Sequence, residues 1–190
     1  MTLIPTASQT AGPYVHLGLT EKWSVGRIAG EAVNGERLWM TCRICDGDGI
    51  PVPDAVIEVW QADARGQYRH PEDTRPAATD PAWRGFGRLA VDENGTCIFE
   101  TIKPGRVPGR GDTLQAPHLN VSIFARGLLK QLVTRIYFAG EKANVEDAVL
   151  ALVPEKRQET LMAHPDTART GGWCFEIRLC GEGETVFFEV

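Results

Sequence analysis

Short runs of strand-forming residues, each ended by a turn, dominate this sequence of 190 residues. Runs rich in Val, Ile and aromatic residues, with polar residues at alternate positions, are typical of strands that bury one face. Turn sequences such as Asp46-Gly-Asp-Gly49 separate the runs. The runs span residues 38–45, 55–60, 87–91, 96–101, 119–124, 133–138, 174–179 and 184–189. This pattern predicts an all-β fold, a two-sheet β-sandwich with long loops and one or two short helices.

Two strand pairings are predicted from the turns. Asn94-Gly95 lies between residues 87–91 and 96–101, and this dipeptide between two such runs is typical of a β-hairpin. Near the carboxyl terminus, residues 174–179 and 184–189 flank Gly181-Glu-Gly183. We expect this last pair to close the sheet system.

Helices and long loops make up the rest of the prediction. Residues 144–152 are expected to form a short helix, and Pro154 to begin a further turn that ends at Glu159. Residues 62–86 and 103–117 are irregular and rich in Gly, Pro and charge, and loops of this length usually shape a site or an interface. No linker separates two domains. We therefore expect one domain over residues 1–190, with an extended N-terminal arm over about residues 1–20.

Composition excludes several classes of protein. The net charge of −5 argues against a nucleic acid or an anionic membrane as partner. Residues 1–5 show no basic segment followed by a long apolar one, so we expect a cytoplasmic protein with reduced cysteines. Cys42-Arg-Ile-Cys45 has no second CxxC beside it, so it does not predict a zinc site.

Three sequence blocks carry chemistry. They are residues 60–70 with Tyr68, residues 103–108 with Val107, and Ala116-Pro-His118-Leu-Asn120. In this order the blocks resemble the intradiol ring-cleaving catechol dioxygenases. In that family two tyrosines and a His-x-His pair hold a ferric ion, which binds the catechol as a dianion. The resemblance puts Tyr68 and His118 at ligand positions, Val107 in place of the second tyrosine and Asn120 in place of the second histidine.

The resemblance implies that the metal site is lost in this chain. An apolar side chain and a carboxamide cannot replace a phenolate and an imidazole around a hard trivalent ion. Gln115 stands where the family has a catalytic arginine. We therefore expect no catalytic and no metal-binding residue here, and we interpret His118 as a hydrogen-bonded core histidine. Because side chains alternate along a strand, His118 and Asn120 should share a face.

A closer resemblance concerns residues 8–18, 118–127 and 181–188, which are similar to the α-chain branch of that family, found in the protocatechuate 3,4-dioxygenases. It implies a non-catalytic α-subunit that pairs with a homologous, iron-bearing β-subunit in a larger oligomer. The β-subunit would bind Fe3+ and cleave 3,4-dihydroxybenzoate-like catechols with O2 to a carboxy-cis,cis-muconate-type product.

The same resemblance implies which residues reach the partner's substrate pocket: Thr10, Gly12, Pro13, Tyr14 and Arg126. Glycine lets backbone approach a ligand closely, and tyrosine offers a flat face with a hydroxyl. The Arg126 guanidinium suits a carboxylate or a sulfonate on the ring. The alternatives are an arm that packs only for stability and an arginine in a surface ion pair.

Other residues and other functions stay open. We expect Arg135, in the middle of a strand, to pair with a buried carboxylate, and we assign no role to Arg69. One alternative function is a self-sufficient enzyme with a rearranged metal set of Tyr68, His70 and His118. The other is a β-sandwich binding module with no catalytic role.

Overall fold

The computed structural model describes residues 4–75 and 80–189, and the following elements lie within those ranges. The strands are β1 Arg37–Cys45, β2 Val56–Trp60, β3 Phe86–Ala90, β4 Thr96–Ile102, β5 Val107–Pro108, β6 Leu114–Gln115, β7 His118–Phe124, β8 Leu132–Phe138, β9 Met162–Pro165 and β10 Gly172–Arg178. The α-helices are α1 Pro13–Leu19 and α2 Glu155–Gln158, and 3-10 helices span Lys142–Glu146, Leu150–Leu152 and Glu159–Leu161. No helix in these two ranges is both long enough and apolar enough to cross a bilayer.

Eight strands form the predicted sandwich, in the order β3-β2-β7-β8-β9-β10-β1-β4. The short β9 pairs with β8 in parallel and with β10 antiparallel, so it joins the two halves of the sheet system. Side chains alternate along each strand, and the inward-facing set of β7 is Leu119, Val121 and Ile123. Together with Leu38, Met40, Ile57, Phe99, Ile136, Phe138, Phe175 and Ile177 they form the main core.

The two outermost strands, β3 and β4, are bridged by residues 25–29. Val25 pairs with Arg88 of β3, and the Ile28 N–H donates to the carbonyl oxygen of Glu100 in β4 at 2.9 Å. Unpaired strand edges are templates for aggregation, and a covering segment removes that hazard. The N-terminal segment therefore nearly closes the sheet system.

The predicted hairpin through Asn94-Gly95 is wrong. A tight turn does form there, with Gly95 at φ +70 and the Asp92 carboxylate accepting from the N–H groups of Asn94 and Thr96. However, β3 pairs with β2 and β4 pairs with β1. The turn thus carries the chain from one half of the sandwich to the other. Turn chemistry sets a local reversal, whereas burial of each strand face decides which strand becomes its partner.

The two ends of the chain also differ from prediction. Residues 184–189 form no strand beside β10, and Phe188 makes one isolated bridge to Val133 of β8. The N-terminal arm contains helix α1, which starts at Pro13, a residue already suited to the first helical position. No residue of α1 is buried, and its seven residues are too few to show a clear apolar periodicity from which to predict a helix.

Asp147 divides the helix that was predicted over residues 144–152. Its backbone is extended, so two 3-10 helices form instead of one helix. The buried Asp147 carboxylate accepts from the N–H groups of Val149, Leu150 and Ala116 at 2.9, 2.8 and 2.6 Å. Tyr137 donates its hydroxyl to the same carboxylate at 3.3 Å. One side chain therefore fastens this segment to the start of β7 and to β8.

We predict that Asp147→Asn lowers the free energy of unfolding by about 1–3 kcal/mol, because an NH2 group would face backbone donors in a buried position. Urea denaturation followed by circular dichroism measures it. The control is Asp92→Asn, since Asp92 accepts two backbone N–H groups but is exposed. Equal losses for both variants would contradict the role given to burial.

Candidate functional site

The outer face of β2, β7 and β8 carries most of the residues that the sequence singled out. We call Tyr68, Val107, Gln115, His118 and Asn120 the central site. His118 and Asn120 share this face, as predicted, because the residues between and beyond them point into the main core. The two long loops cover the face: the first supplies Tyr68, and the second forms the small β5–β6 hairpin with Val107 opposite Gln115.

Tyr68 and Asn120 contact each other directly. The Tyr68 ring stacks on Trp60, with centroids 6.0 Å apart and planes 5° from parallel. The Asn120 amide donates to the Tyr68 hydroxyl at 3.1 Å and, more weakly, to the Trp60 carbonyl oxygen at 3.4 Å. Burial raises the pKa of Tyr68, and the hydrogen bond from Asn120 only partly opposes that effect. The phenol is therefore protonated at neutral pH.

His118 is buried and engaged at one ring nitrogen. Its Nδ1 lies 2.7 Å from the Ala116 carbonyl oxygen, and because a carbonyl can only accept, Nδ1 carries the hydrogen. Burial first, and then the positive charge of Arg135, lower the pKa of His118 to about 4. The ring is thus a neutral donor to the backbone at neutral pH.

Arg135 belongs to the central site, although the sequence did not assign it there. Its Nη1 donates to the Gln115 side-chain oxygen at 2.7 Å and to the Tyr137 hydroxyl at 3.3 Å. The predicted direct pairing with a buried carboxylate is wrong, because Tyr137 stands between Arg135 and Asp147. Side-chain alternation along residues 133–138 was the available signal. The register between β7 and β8, which the sequence does not show, puts Arg135 directly across from Asn120.

These side chains do not fit a ferric ion. Val107 is buried and has no donor atom, and the Asn120 amide is committed to Tyr68 and Trp60. The Arg135 guanidinium beside Gln115 adds a fixed positive charge that repels a trivalent cation. Within residues 4–75 and 80–189, no group of three His, Cys, Asp or Glu side chains is arranged to hold a metal.

Away from the central site, a cavity of about 630 Å³ is lined by most of the residues expected to reach a partner's pocket. Thr10, Gly12, Pro13 and Arg126 line it. The Gly127 N–H donates to the Thr10 hydroxyl at 2.7 Å, which fastens the arm to the turn after β7. We call this cavity the arm pocket. Tyr14 is not part of its lining, and its side chain is 87% exposed.

Arg126 lies at the arm pocket in an ion pair with Asp54. The Arg126 Nε is 3.2 Å from an Asp54 carboxylate oxygen, and the arginine side chain is 79% exposed. The surface ion pair that the sequence left as an alternative therefore forms, but it engages only one edge of the guanidinium. Asp54 and His16 also line this cavity. The sequence did not single out either residue. For Asp54, nothing nearby in the chain indicates a contact with Arg126.

The two undecided loop residues have local roles. Arg69 donates to the Trp83 carbonyl oxygen, and the His70 Nδ1 accepts from the Glu72 N–H at 3.2 Å. The Trp60 ring meets the His70 ring edge-on, with centroids 6.3 Å apart.

We predict that His118 makes the protein less stable in mild acid. Its pKa is lower in the folded chain than the ordinary value of 6.5, so the unfolded chain binds the proton first as the pH falls. The stabilisation is complete above pH 6.5 and is lost towards pH 4, by about 3 kcal/mol. His118→Gln should flatten this part of the stability curve, whereas replacement of the exposed His70 should not. Denaturant unfolding at several pH values measures it, and parallel curves for wild type and His118→Gln would contradict the prediction.

The comparisons with known proteins identify the family. A family model described as dioxygenase matches residues 10–181. The chain is 40% identical over 203 aligned positions to the protocatechuate 3,4-dioxygenase alpha chain of Pseudomonas putida, covering 98% of each chain. It is 37% identical over 158 positions to the beta chain of the Burkholderia cepacia enzyme, covering 80% of this chain and 67% of that one.

Solved structures agree in fold. The crystal structure of 3-chlorocatechol 1,2-dioxygenase from Rhodococcus opacus superposes with a TM-score of 0.63 at 22% identity, covering 94% of this chain and 68% of that one. The family depends on ferric iron, although the central site of this chain does not fit it. The match over residues 10–181, and the full-length similarity to an alpha chain, show that this chain belongs to the intradiol ring-cleaving dioxygenase family.

Proposed function

We propose that this chain is the non-catalytic subunit of a two-chain intradiol dioxygenase, and that it completes the substrate pocket of an iron-bearing partner. The partner is a homologue of the beta chain reported above, and it binds the Fe3+ of the enzyme. The substrate is a 3,4-dihydroxybenzoate-like catechol, which reacts with O2 to give a carboxy-cis,cis-muconate-type product. The central site of this chain takes no part in the chemistry.

The arm pocket is the observation that carries this proposal. Thr10, Gly12 and Pro13 precede β1 by more than twenty residues, yet they meet Arg126 at one cavity. The hydrogen bond from Gly127 to Thr10 holds them in place. A cavity built from a fixed backbone arm and one guanidinium suits the anionic end of a flat ligand. It has no chemical group for oxygen chemistry, which a partner must supply.

Arg126 has unoccupied hydrogen-bond donors that suit this role. Its Nε faces Asp54, and its two Nη groups have no acceptor among residues 4–75 and 80–189. A carboxylate or a sulfonate binds such a pair of donors side by side. Ion pairs this exposed contribute little stability. The contact with Asp54 therefore orients the Arg126 guanidinium but does not prevent it from binding a ligand.

The surface around the arm pocket suits burial against a second protein. Tyr14 and Leu17 of α1 are 87% and 52% exposed, and Leu129, beyond the turn after β7, is 63% exposed. Clustered apolar and aromatic side chains of this kind are enriched in protein interfaces. In the complex, Tyr14 would therefore contact the partner or its substrate instead of the arm pocket of its own chain.

We predict that Arg126→Ala, in the complex with the iron-bearing partner, lowers kcat/KM for 3,4-dihydroxybenzoate roughly ten- to a hundredfold. A charge-assisted hydrogen bond of about 1.5–3 kcal/mol would be lost. Plain catechol has no ring anion, so its kcat/KM should change much less. Steady-state oxygen consumption with both substrates measures the ratio. The iron content and colour of the complex should be unchanged.

The matched control is Arg65→Ala, which removes another exposed arginine with a carboxylate neighbour outside the arm pocket. It should leave both substrates unaffected. Equal losses for both substrates in Arg126→Ala would mean that this residue supports the interface. No loss for either would put it outside the pocket and would refute its proposed role.

A second prediction concerns metal. The purified chain should bind no stoichiometric ferric iron and show no tyrosinate-to-iron absorption. Val107→Tyr combined with Asn120→His restores the ligand types, yet iron binding should stay weak, because Arg135 remains beside the site and Val107 is buried. Metal analysis and visible spectroscopy measure both. Wild-type chain that carries one iron per molecule would refute the assignment of iron to the partner.

A further inference from the structure

The strand register brings two opposite charges together at the arm pocket. β2 and β7 pair antiparallel, with Val56 directly opposite Phe124. Asp54 and Arg126 lie two residues beyond these partners at the same end of the ladder, which places them side by side in the ion pair described above. Both line the arm pocket, together with Phe124. Their contact is therefore set by the pairing of two strands and not by the N-terminal arm.

The Asp54 carboxylate has no part in the geometry of its own turn. Asp46 and Asp92 also lie at turns, and each accepts from backbone N–H groups there. Asp54 accepts from no backbone N–H among residues 4–75 and 80–189, where the ion pair with Arg126 is the one polar contact of its side chain. An aspartate therefore adds a negative charge at this position, beside the guanidinium, and nothing that an asparagine could not supply to the turn.

The charges of the arm pocket balance each other. In the described part of the chain, Arg126 and Asp54 are the charged residues of its lining, and His16 is the other titratable one. The Arg126 Nε faces Asp54, which leaves the two Nη groups for a ligand. An anion bound there is separated from Asp54 only by the guanidinium, so it lies within the Debye length of about 10 Å at 0.1 M salt. Asp54 therefore repels it.

This repulsion affects anions of different charge unequally. A guanidinium by itself favours the ligand with the larger negative charge. The Asp54 carboxylate opposes that preference, because it repels each negative charge of the ligand and thus penalises a dianion twice as much as a monoanion. A dianion also loses more hydration when it leaves water.

We propose that Asp54 biases the arm pocket towards a ring substituent with one negative charge, such as a carboxylate or a sulfonate, and against one with two, such as a phosphonate. Arg126 attracts both kinds of substituent, and Asp54 sets the selectivity between them. Asp54 acts through its charge and does not touch the reacting atoms. This inference rests on the function proposed above, in which Arg126 receives the substituent.

Two catechols of matched shape test the proposal. 3,4-Dihydroxybenzenesulfonate and 3,4-dihydroxyphenylphosphonate differ in charge in mildly alkaline buffer, where the phosphonate is doubly ionised and histidines are ordinarily neutral. Each is titrated, without oxygen, into the complex with the iron-bearing partner, and the change in visible absorption gives its Kd. Asp54→Asn should lower the ratio of the phosphonate Kd to the sulfonate Kd roughly three- to thirtyfold relative to wild type. A mere loss of order at Arg126 would change both Kd values together and leave the ratio unchanged.

Two further variants control for charge and for position. Asp54→Glu keeps the charge and should keep the wild-type ratio. Glu176→Gln removes an exposed carboxylate that pairs with Arg43 outside the arm pocket, and it should also keep that ratio. An unchanged ratio in Asp54→Asn overturns the proposal, and so does an equal change of the ratio in Asp54→Glu or Glu176→Gln.

Arg126→Ala separates a failure of this proposal from a failure of the proposed function. If Arg126→Ala weakens the binding of both anions while Asp54→Asn leaves the ratio unchanged, only the role of Asp54 is overturned. If Arg126→Ala leaves both Kd values as in wild type, Arg126 does not receive the substituent. The proposed role of the arm pocket then fails, and this inference fails with it, whatever the Asp54 variants show.

Discussion

The chain of hydrogen bonds from Asp147 through Tyr137 and Arg135 to Gln115 holds together the outer face of the sheet that carries the central site. It connects the segment after β8, the strand β8 itself and the β5–β6 hairpin. Asp147 also accepts from the backbone of Ala116 at the start of β7. Burial raises the pKa of Tyr137 to about 12, so its hydroxyl remains a donor to the carboxylate. A buried network of this kind is stabilising only when each member has a partner, as here.

Hydrogen bonds at the central site have the structural role that a metal has elsewhere in the family. A ferric ion would tie the first long loop, the β5–β6 hairpin and β7 to one point. In this chain Asn120 of β7 holds Tyr68, and Arg135 of β8 holds Gln115, so the first long loop and the β5–β6 hairpin are each tied to the sheet without an ion. The positive charge at this site is that of the Arg135 side chain, and β8 sets its position. A site of this kind cannot bind the catechol dianion by coordination.

Much of the fold was predictable from the sequence, because strand alternation and turn residues act locally. Seven of the eight predicted runs are strands at nearly the predicted bounds, and β3 and β4 are among them. Their pairing was not predictable from Asn94-Gly95, since sheet partners are chosen by contacts far apart in sequence. Helix α1 was missed because none of its residues is buried.

The candidate site divides in the same way. Tyr68, Val107, His118 and Asn120 were found through ordered motifs, and Thr10, Gly12, Pro13 and Arg126 meet at one cavity. Arg135 was missed because its significance lies in the register between β7 and β8, which places it across from Asn120. Asp54 was missed because its partner is 72 positions away in the chain. A single sequence shows which residue types are present, but a cross-strand neighbour becomes visible only with the register.

The substitutions at the central site are chemically consistent with one another. Each residue that replaces an expected ligand or arginine removes a metal-binding or charged group, and the two polar replacements form hydrogen bonds with a neighbour. Asn120 cannot bind iron as an imidazole would, but its NH2 satisfies the Tyr68 hydroxyl. Gln115 brings no charge, but its oxygen accepts from Arg135. Val107 has no polar atom and is buried, so it needs no partner. A site that had only lost its metal would leave buried polar atoms unsatisfied at a cost of about 1–3 kcal/mol each. At these positions no such atom remains among the residues that the structure describes. The central site is therefore a rebuilt polar surface, in which hydrogen bonds among its side chains take the place of metal ligands.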